Sequence, residues 1–123
     1  MTGNDYQYHA RLTANPDMHE DLERGVSTFS CLGKMLNASL GLSGEVGELN
    51  DLIKKWIFHH EDLDIIHAKK EIGDILWYIV LMCDAFGFTL DEVMQTNVDK
   101  LKARYENKGF DYDHAQHKKE GDV

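Results

Sequence analysis

The chain has 123 residues, of which 42% are hydrophobic, and 22 acidic against 13 basic side chains give it a formal net charge of −9. This length suits one domain with a real core. An acidic surface repels phosphate backbones, which argues against nucleic acid as a partner. An acidic protein can still bind a phosphorylated small molecule where a metal ion bridges the two.

Neither the N-terminal residues nor the apolar segments of the chain predict a membrane or secretory protein. The first residues, MTGNDYQYHA, lack the basic and apolar regions of a signal peptide. The longest uninterrupted apolar run, 75–83, is far too short to span a bilayer. Cys31 and Cys83 form no CxxC motif, and Cys83 lies within that run, which favours two reduced thiols over a disulfide. We expect a cytoplasmic protein with no membrane partner.

The first half of the chain predicts two helices separated by a turn. A short first helix is expected over residues 4–13, and the sequence NPD at 15–17 is typical of a turn. A long second helix is expected from about Val26 to about Phe58, because apolar residues recur there with the helical period. A bend between Gly41 and Gly47 could divide this helix in two.

The second half predicts two further helices. A polar break at 59–64 precedes the third, which Asp62 or Asp64 could cap and which continues to about Phe86. Its segment 75–82 is apolar on all sides, so we expect it centrally in a bundle or at a subunit contact. Such a helix in a small domain also predicts a homo-oligomer, at least a dimer.

A capping box opens the fourth helix, and a polar tail follows it. Thr89 and Glu92 form the T-x-x-E pattern, in which each side chain satisfies a backbone N–H of the other. We expect residues 1–106 to form one domain and residues 107–123 to form an extended, partly mobile C-terminal tail. The predicted fold class is all-α, a bundle of four main helices.

Two pairs of carboxylates carry the chemical signal of this sequence. Glu45 and Glu48 form ExxE on the predicted second helix, and Glu71 and Asp74 form ExxD on the third. Residues three apart on a helix lie on the same side, so each pair presents two carboxylates together. If the two helices pack antiparallel, four carboxylates can converge, and their repulsion then requires a cation. Oxygen ligands favour Mg²⁺ or Mn²⁺.

Acidic residues three apart are also common on solvated helix faces, so their surroundings decide between the two interpretations. Glu45 lines up with Leu49, and Glu71 lines up with Tyr78, so both pairs border apolar faces. This coincidence on successive helices favours a site. Three glycines fit a site as well, because they would let a helix or a ligand approach the backbone: Gly44, Gly47 and Gly73.

The stretch GLSGEVGELNDLIKK (41–55), followed by KKEIGDILWYIV (69–80), resembles the ExxE…ExxD signature of MazG-like nucleotide pyrophosphohydrolases, in the all-α NTP pyrophosphatase superfamily. The resemblance runs from about Tyr6 to about Tyr105, although Ser43 and Gly44 stand where many members have two adjacent acids. It implies an oligomeric all-α bundle and a nucleoside triphosphate substrate. It also implies Mg²⁺-dependent cleavage between the α and β phosphates, with Mn²⁺ as a possible substitute, in nucleotide-pool housecleaning.

The resemblance also implies roles for the acidic residues. Glu45, Glu48, Glu71 and Asp74 would hold the metal, which would bind the phosphate chain and activate a water molecule. Glu45 and Glu48 would be catalytic, with Glu45 the first choice as the carboxylate that accepts the water's proton.

Phosphate oxygens beyond the metal need cationic or amide partners. Lys55 lies seven residues after Glu48, on the same helix face. Three residues form one polar stripe on the fourth helix, and in similar proteins an asparagine and a lysine there face the nucleotide: Asn97, Lys100 and Arg104. Asn97 falls within an apolar face, where a buried amide would need partners. Gln7 is a further candidate, because the N-terminal segment shapes the pocket in related proteins. The opposing interpretation is that the basic residues are solvated surface charges.

Two other functions stay open on the sequence. One is a non-catalytic, nucleotide-binding helical regulator, and the other is a di-iron carboxylate bundle. The di-iron class uses Glu-x-x-His pairs, whereas the partner of Glu71 here is Asp74. His67 precedes Glu71 by four residues and could share a metal with it, but its neighbour Lys70 favours a position in solvent.

Overall fold

The computed structural model describes residues 1–105 and residue 110, and the regular structure of these residues is entirely α-helical. Five helices follow in order: α1 (Gly3–Thr13), α2 (Met18–Thr28), α3 (Leu32–Phe58), α4 (Ile65–Phe86) and α5 (Leu90–Tyr105). The predicted all-α class is confirmed. The predicted tail, 107–123, lies outside the described residues except for Phe110. The chain divides into two compact units, Met1–Gly33 and Lys34–Val123.

The N-terminal unit consists of two short helices with side-chain caps. Thr2 and Asp5 form a capping box at α1: the Asp5 amide donates to Thr2 Oγ1 over 3.1 Å, and the Thr2 amide donates to Asp5 Oδ2 over 2.9 Å. The bond from the Thr2 amide to the carboxylate, and then the Thr2 side chain, hold the pKa of Asp5 below its usual value. The turn predicted at 15–17 is confirmed, and there the Asp17 amide donates to Asn15 Oδ1 over 2.9 Å.

The predicted long second helix is wrong in its first part, because α2 and α3 are separate helices. The chain leaves the helical conformation at Phe29, whose φ of −120° and ψ of 107° are extended. The hydroxyls of Ser27 and Thr28 donate to the carbonyls of Glu23 and Arg24, four residues earlier. Such bonds compete with helix propagation, which explains the stop at a Ser/Thr-rich segment.

The predicted bend between Gly41 and Gly47 is also wrong, since α3 continues from Leu32 to Phe58. Glycine costs helix stability, but it keeps the backbone N–H that proline lacks, so a packed helix can run through it. At Gly41 the missing side chain has a use: an added Cβ would overlap the ring of Tyr78 on α4. No atom of the described residues lies within 4 Å of a Cβ built at Gly44, Gly47 or Gly73, so none of the described helices approaches these three glycines closely. The alternative, the approach of a ligand, stays a prediction.

The boundaries of α4 and α5 follow the predicted caps. Asp64 caps α4 by accepting from the His67 amide over 2.9 Å, and Gly87 ends it in the left-handed region at φ 78°. At α5, the Glu92 amide donates to Thr89 Oγ1 over 3.1 Å, and the Thr89 amide donates to Glu92 Oε2 over 3.2 Å. The capping box is confirmed, and it starts α5 one residue after Thr89.

Little apolar surface is fully buried within one chain. Among the described residues, the buried hydrophobic ones are Ala38, Cys83 and Ala85. The apolar segment of α4 remains partly exposed, with Trp77 at 59%. Both cysteines are free, as predicted. Among the described helices, no single one is long and apolar enough to cross a membrane; only α4 and α5 together pass that test, as a pair bent by 98°.

Candidate metal and nucleotide site

Antiparallel packing of α3 against α4 positions the carboxylates. Gly41 lies against Tyr78, and further along α3 Glu45 lies against Glu71. Along the contact between the two helices, residue numbers increase on α3 and decrease on α4, so the helices are antiparallel. Because helices repeat about every 3.6 residues, ExxE and ExxD then lie at the same level of the helix pair.

One carboxylate oxygen from each of Glu45, Glu71 and Asp74 lies within 4.8 Å of the other two. We call these three residues the acidic cluster. Their burial differs: Glu71 is only 5% exposed, Glu45 is half-buried and Asp74 is exposed. A buried carboxylate beside two others is unfavourable unless protons, hydrogen-bond donors or a cation compensate the charge.

Within the protein itself, a shared proton relieves part of this repulsion. The pKa of Glu45 is raised to about 7, first by its hydrogen bond with Glu71, then by burial and by the charges of Glu48, Asp74 and Glu71. The pKa of Glu71 is lowered, first because it accepts that hydrogen bond and also because it accepts one from His67. Where the pair holds a proton, Glu45 with its higher pKa is therefore the protonated member and Glu71 the ionised one.

The unsatisfied atoms of the cluster fit a hard divalent cation. Oε2 of Glu45 and Oε2 of Glu71 are buried, and neither has a hydrogen-bond partner among the described residues. Mg²⁺ takes oxygen ligands at about 2.1 Å, so two of its ligands lie at most about 4.2 Å apart. Oxygen atoms within 4.8 Å of one another need only a small side-chain shift to share one ion. The donor set of the cluster contains only carboxylates, which favours Mg²⁺ or Mn²⁺ over softer metals.

Comparison with known proteins agrees with this geometry. A model of the MazG nucleotide pyrophosphohydrolase domain matches residues 35–109, which include all four predicted metal ligands. The chain belongs to the MazG nucleotide pyrophosphohydrolase family. It is also 32% identical over 72 residues to the Gene 37 protein of Mycobacterium phage L5, covering 54% of this chain and 61% of that protein. The chain thus spans about three-fifths of the length of that relative. No solved structure matches the chain.

Glu48, the fourth predicted ligand of this MazG family member, lies at the edge of the acidic cluster. It is exposed, and its pKa is raised first by a hydrogen bond with Glu71, then by the charge of Glu71 and by burial. It lines a groove of about 360 Å³ beside the cluster. The other residues of this groove are Gly44, Gly47, Asp51, Leu52, Lys55 and His67. We call it the Glu48 groove.

Lys55, predicted to contact phosphate, is in the Glu48 groove, where it forms an ion pair that the sequence analysis did not predict. Its Nζ lies 2.9 Å from Oδ2 of Asp51, one turn earlier on α3. This contact raises the pKa of Lys55 and lowers that of Asp51. A phosphate in the groove would therefore share Lys55 with a carboxylate. The spacing of four residues was the available signal for this pair.

The remaining predicted substrate residues of the MazG domain lie on α5. Asn97 and Lys100 line a second cavity of about 570 Å³ with Phe88, Glu92, Val93 and Thr96. Asn97 is exposed, so the expectation of a buried amide is wrong. Arg104 is half-buried in the last turn of α5. Gln7 is an exposed residue of α1, in the N-terminal unit.

His67 is exposed, as predicted, but it also makes a hydrogen bond that was not predicted. Its Nε2 lies 2.9 Å from Oε1 of Glu71. The signal was present, because His67 and Glu71 are four residues apart and share a helix face. The sequence could not show that Glu71 would be buried and would need a donor.

Proposed function

We propose that this chain is a Mg²⁺-dependent nucleoside triphosphate pyrophosphohydrolase. It would cleave (d)NTP between the α and β phosphates to (d)NMP and pyrophosphate. The observation that carries this proposal is the pair of buried, unpartnered carboxylate oxygens of Glu45 and Glu71, which lie in one cluster with Asp74. Membership of the MazG nucleotide pyrophosphohydrolase family supports the substrate class.

Glu45, Glu71 and Asp74 would hold the metal, with Glu48 as an additional ligand on the groove side. When bound, Mg²⁺ would neutralise phosphate charge and lower the pKa of a water molecule. A water molecule would attack the α phosphorus, and the bond between that phosphorus and the α–β bridging oxygen would break so that pyrophosphate leaves. A carboxylate would take the water's proton. Glu45 is proposed for this last role, since a metal would use one of its carboxylate oxygens and leave the other to accept the proton.

The cationic and amide side chains would bind the rest of the nucleotide. Lys55 would meet phosphate oxygens in the Glu48 groove. Asn97 and Lys100 would bind from the cavity on α5, with Arg104 following on the same helix. Gln7 would contribute from the N-terminal segment. Because the chain carries a net charge of −9, these few groups and the metal must attract a polyanionic substrate against the overall charge.

The reaction is tested by incubating the pure protein with Mg²⁺ and each common NTP and dNTP, with pyrophosphate resolved from orthophosphate. We expect monophosphate and pyrophosphate. Glu48→Gln and Glu71→Gln should reduce the rate by more than about 100-fold, because loss of a metal ligand exceeds the 10–100-fold typical of outer-shell partners. The exposed Glu20 of α2 provides the matched control, and Glu20→Gln should be fully active.

Two results would contradict this function. Release of orthophosphate would show a different bond cleavage. Nucleotide binding without turnover, in a folded protein that binds Mg²⁺, would favour the non-catalytic regulator.

We further propose that two or more copies of this chain associate, as a homodimer or a homotetramer. Large apolar side chains of α4 are exposed in the single chain, including Leu76 at 50% and Trp77 at 59%. A domain of this length normally buries about two-thirds of its surface on folding. The buried hydrophobic residues among those described, Ala38, Cys83 and Ala85, form a much smaller core than that fraction requires. A monomer in light scattering at micromolar concentration would refute this association. Trp77→Glu should weaken it if α4 forms the contact.

The cellular role that fits these proposals is nucleotide-pool housecleaning in the cytoplasm, with no nucleic-acid or membrane partner.

A further inference from the structure

His67 makes two hydrogen bonds at the start of α4, one through its backbone and one through its side chain. Its amide donates to Oδ1 of the capping residue Asp64 over 2.9 Å, which fixes its position in the first helical turn. Its Nε2 lies 2.9 Å from Oε1 of Glu71. The imidazole is 51% exposed, whereas the Glu71 side chain is 7% exposed. His67 therefore connects the helix start to the most buried member of the acidic cluster.

The chemistry of the two groups decides which atom donates. An ionised carboxylate has only acceptors, so Nε2 of His67 must carry the hydrogen and donate it to Oε1 of Glu71. This bond satisfies one oxygen of Glu71 and restrains rotation of its carboxylate plane. The other oxygen, Oε2, is buried and has no hydrogen-bond partner among the described residues. Glu71 is thus left with one satisfied oxygen and one unsatisfied oxygen in fixed places.

We propose that His67 is a positioning residue for the metal centre, which holds Glu71 so that its Oε2 faces the bound cation. This inference rests on the proposed function, because it assumes that the acidic cluster binds Mg²⁺. Hydrogen bonds from outer residues to ligating carboxylates commonly contribute 10–100-fold to metal affinity. His67 would act through Glu71 and would not contact the metal.

The chain contains a matched control for this contact. His19 and Glu23 on α2 have the same spacing, with Nε2 of His19 at 3.0 Å from Oε1 of Glu23. Both of these side chains are exposed, at 78% and 67%, and Glu23 is not a member of the acidic cluster. Removing His19 therefore removes the same kind of helical pair without affecting a buried carboxylate.

The test is calorimetric titration of Mg²⁺ into the full chain, without nucleotide. His67→Ala should weaken Mg²⁺ binding by about 10-fold or more, and His19→Ala should leave it unchanged. His67→Gln should restore most of the affinity, because its amide nitrogen can take the place of Nε2. His67→Asn is shorter by one methylene and should not restore it. Circular dichroism of each variant checks the fold, and the Gln and Asn pair decides the question if His67→Ala does not fold.

The outcomes separate this inference from the proposed function. If the wild type binds Mg²⁺ and His67→Ala and His67→Asn bind it equally well, the positioning role is wrong and the metal centre stands. If the wild type binds no Mg²⁺, both are wrong. Electron paramagnetic resonance of the Mn²⁺-loaded protein gives a further check. A directly coordinated nitrogen that disappears in His67→Gln would make His67 a ligand and overturn the positioning role.

Discussion

Mg²⁺ binding at the acidic cluster should weaken as the pH falls, because the cluster holds a proton that the metal must displace. The pKa of Glu45 is raised from 4.5 to about 7, chiefly by its hydrogen bond with Glu71. A cation needs the ionised carboxylate, so below this pKa each bound ion releases about one proton. The apparent dissociation constant should therefore rise about tenfold for each pH unit below about pH 7 and level off above about pH 8.

Calorimetry in two buffers of different ionisation enthalpy measures both quantities, the affinity and the number of protons released. The pKa of Glu48 is raised as well, so the proton release can exceed one per ion if Glu48 also binds the metal. Equal Mg²⁺ affinity and no proton release between about pH 6 and about pH 8 would refute the assignment of the shared proton to Glu45.

The same proton predicts how the metal-free protein responds to pH. Between its unfolded pKa of 4.5 and its folded pKa of about 7, Glu45 binds a proton in the native state that the unfolded chain has already released. The contribution of Glu45 to stability is therefore complete at low pH and is lost as the pH rises through about 7. Glu45→Gln mimics the protonated carboxyl, so thermal unfolding of this variant should depend less on pH over that window. Identical pH dependence of the two proteins would contradict the prediction.

Two predictions on stability follow from the backbone of α3, and urea denaturation measures both. Gly41→Ala should destabilise the fold by about 1–3 kcal/mol, because its Cβ would overlap the ring of Tyr78. Gly47→Ala is the control, because no atom of the described part of the chain lies within 4 Å of its Cβ, and it should stabilise α3 by up to about 1 kcal/mol. Equal effects of the two substitutions would show that Tyr78 does not pack on Gly41. His60 lies two residues after the end of α3 and has a φ of 56°, and the amide of Glu61 donates to the Lys55 carbonyl over 3.2 Å. His60→Gly should therefore add about 1 kcal/mol, and a less stable variant would mean that the His60 side chain contributes more than its strain.

Local rules predicted the helix boundaries well where the determining groups lie within four residues of one another. Asp64 and the Thr89–Glu92 pair act on the first turn of their own helices, so the sequence contains all the partners. The break at Phe29 was missed although the hydroxyls of Ser27 and Thr28 also bond to carbonyls only four residues earlier. The reason is that Val26 and the residues after it continue the apolar period across the break.

The site was harder to predict where it depends on how α3 and α4 are rotated against each other. Spacing alone places Glu45 and Glu48 on one helix face, but the rotation of α3 makes Glu45 half-buried and Glu48 exposed. It also selects Gly41, and not Gly44 or Gly47, as the glycine that Tyr78 covers. The contact of His67 with Glu71 lies within α4, but its importance depends on the same packing, since only a buried carboxylate needs that donor.

Under the proposed function, the carboxylates and the glycines of α3 have separate roles: the carboxylates hold the cation, and the glycines leave space for the substrate. Glu71 lies against α3, where its charge is compensated by the proton on Glu45 and by His67. A cation that replaces the proton would leave Glu45 and Glu71 both ionised, which adds charge to the cluster and makes a divalent ion a better partner than a monovalent one. Gly44 and Gly47 line the Glu48 groove and have open space where side chains would stand. Under the proposed function, that side of α3 is the approach by which a phosphate chain could reach a metal on the cluster without displacing any side chain.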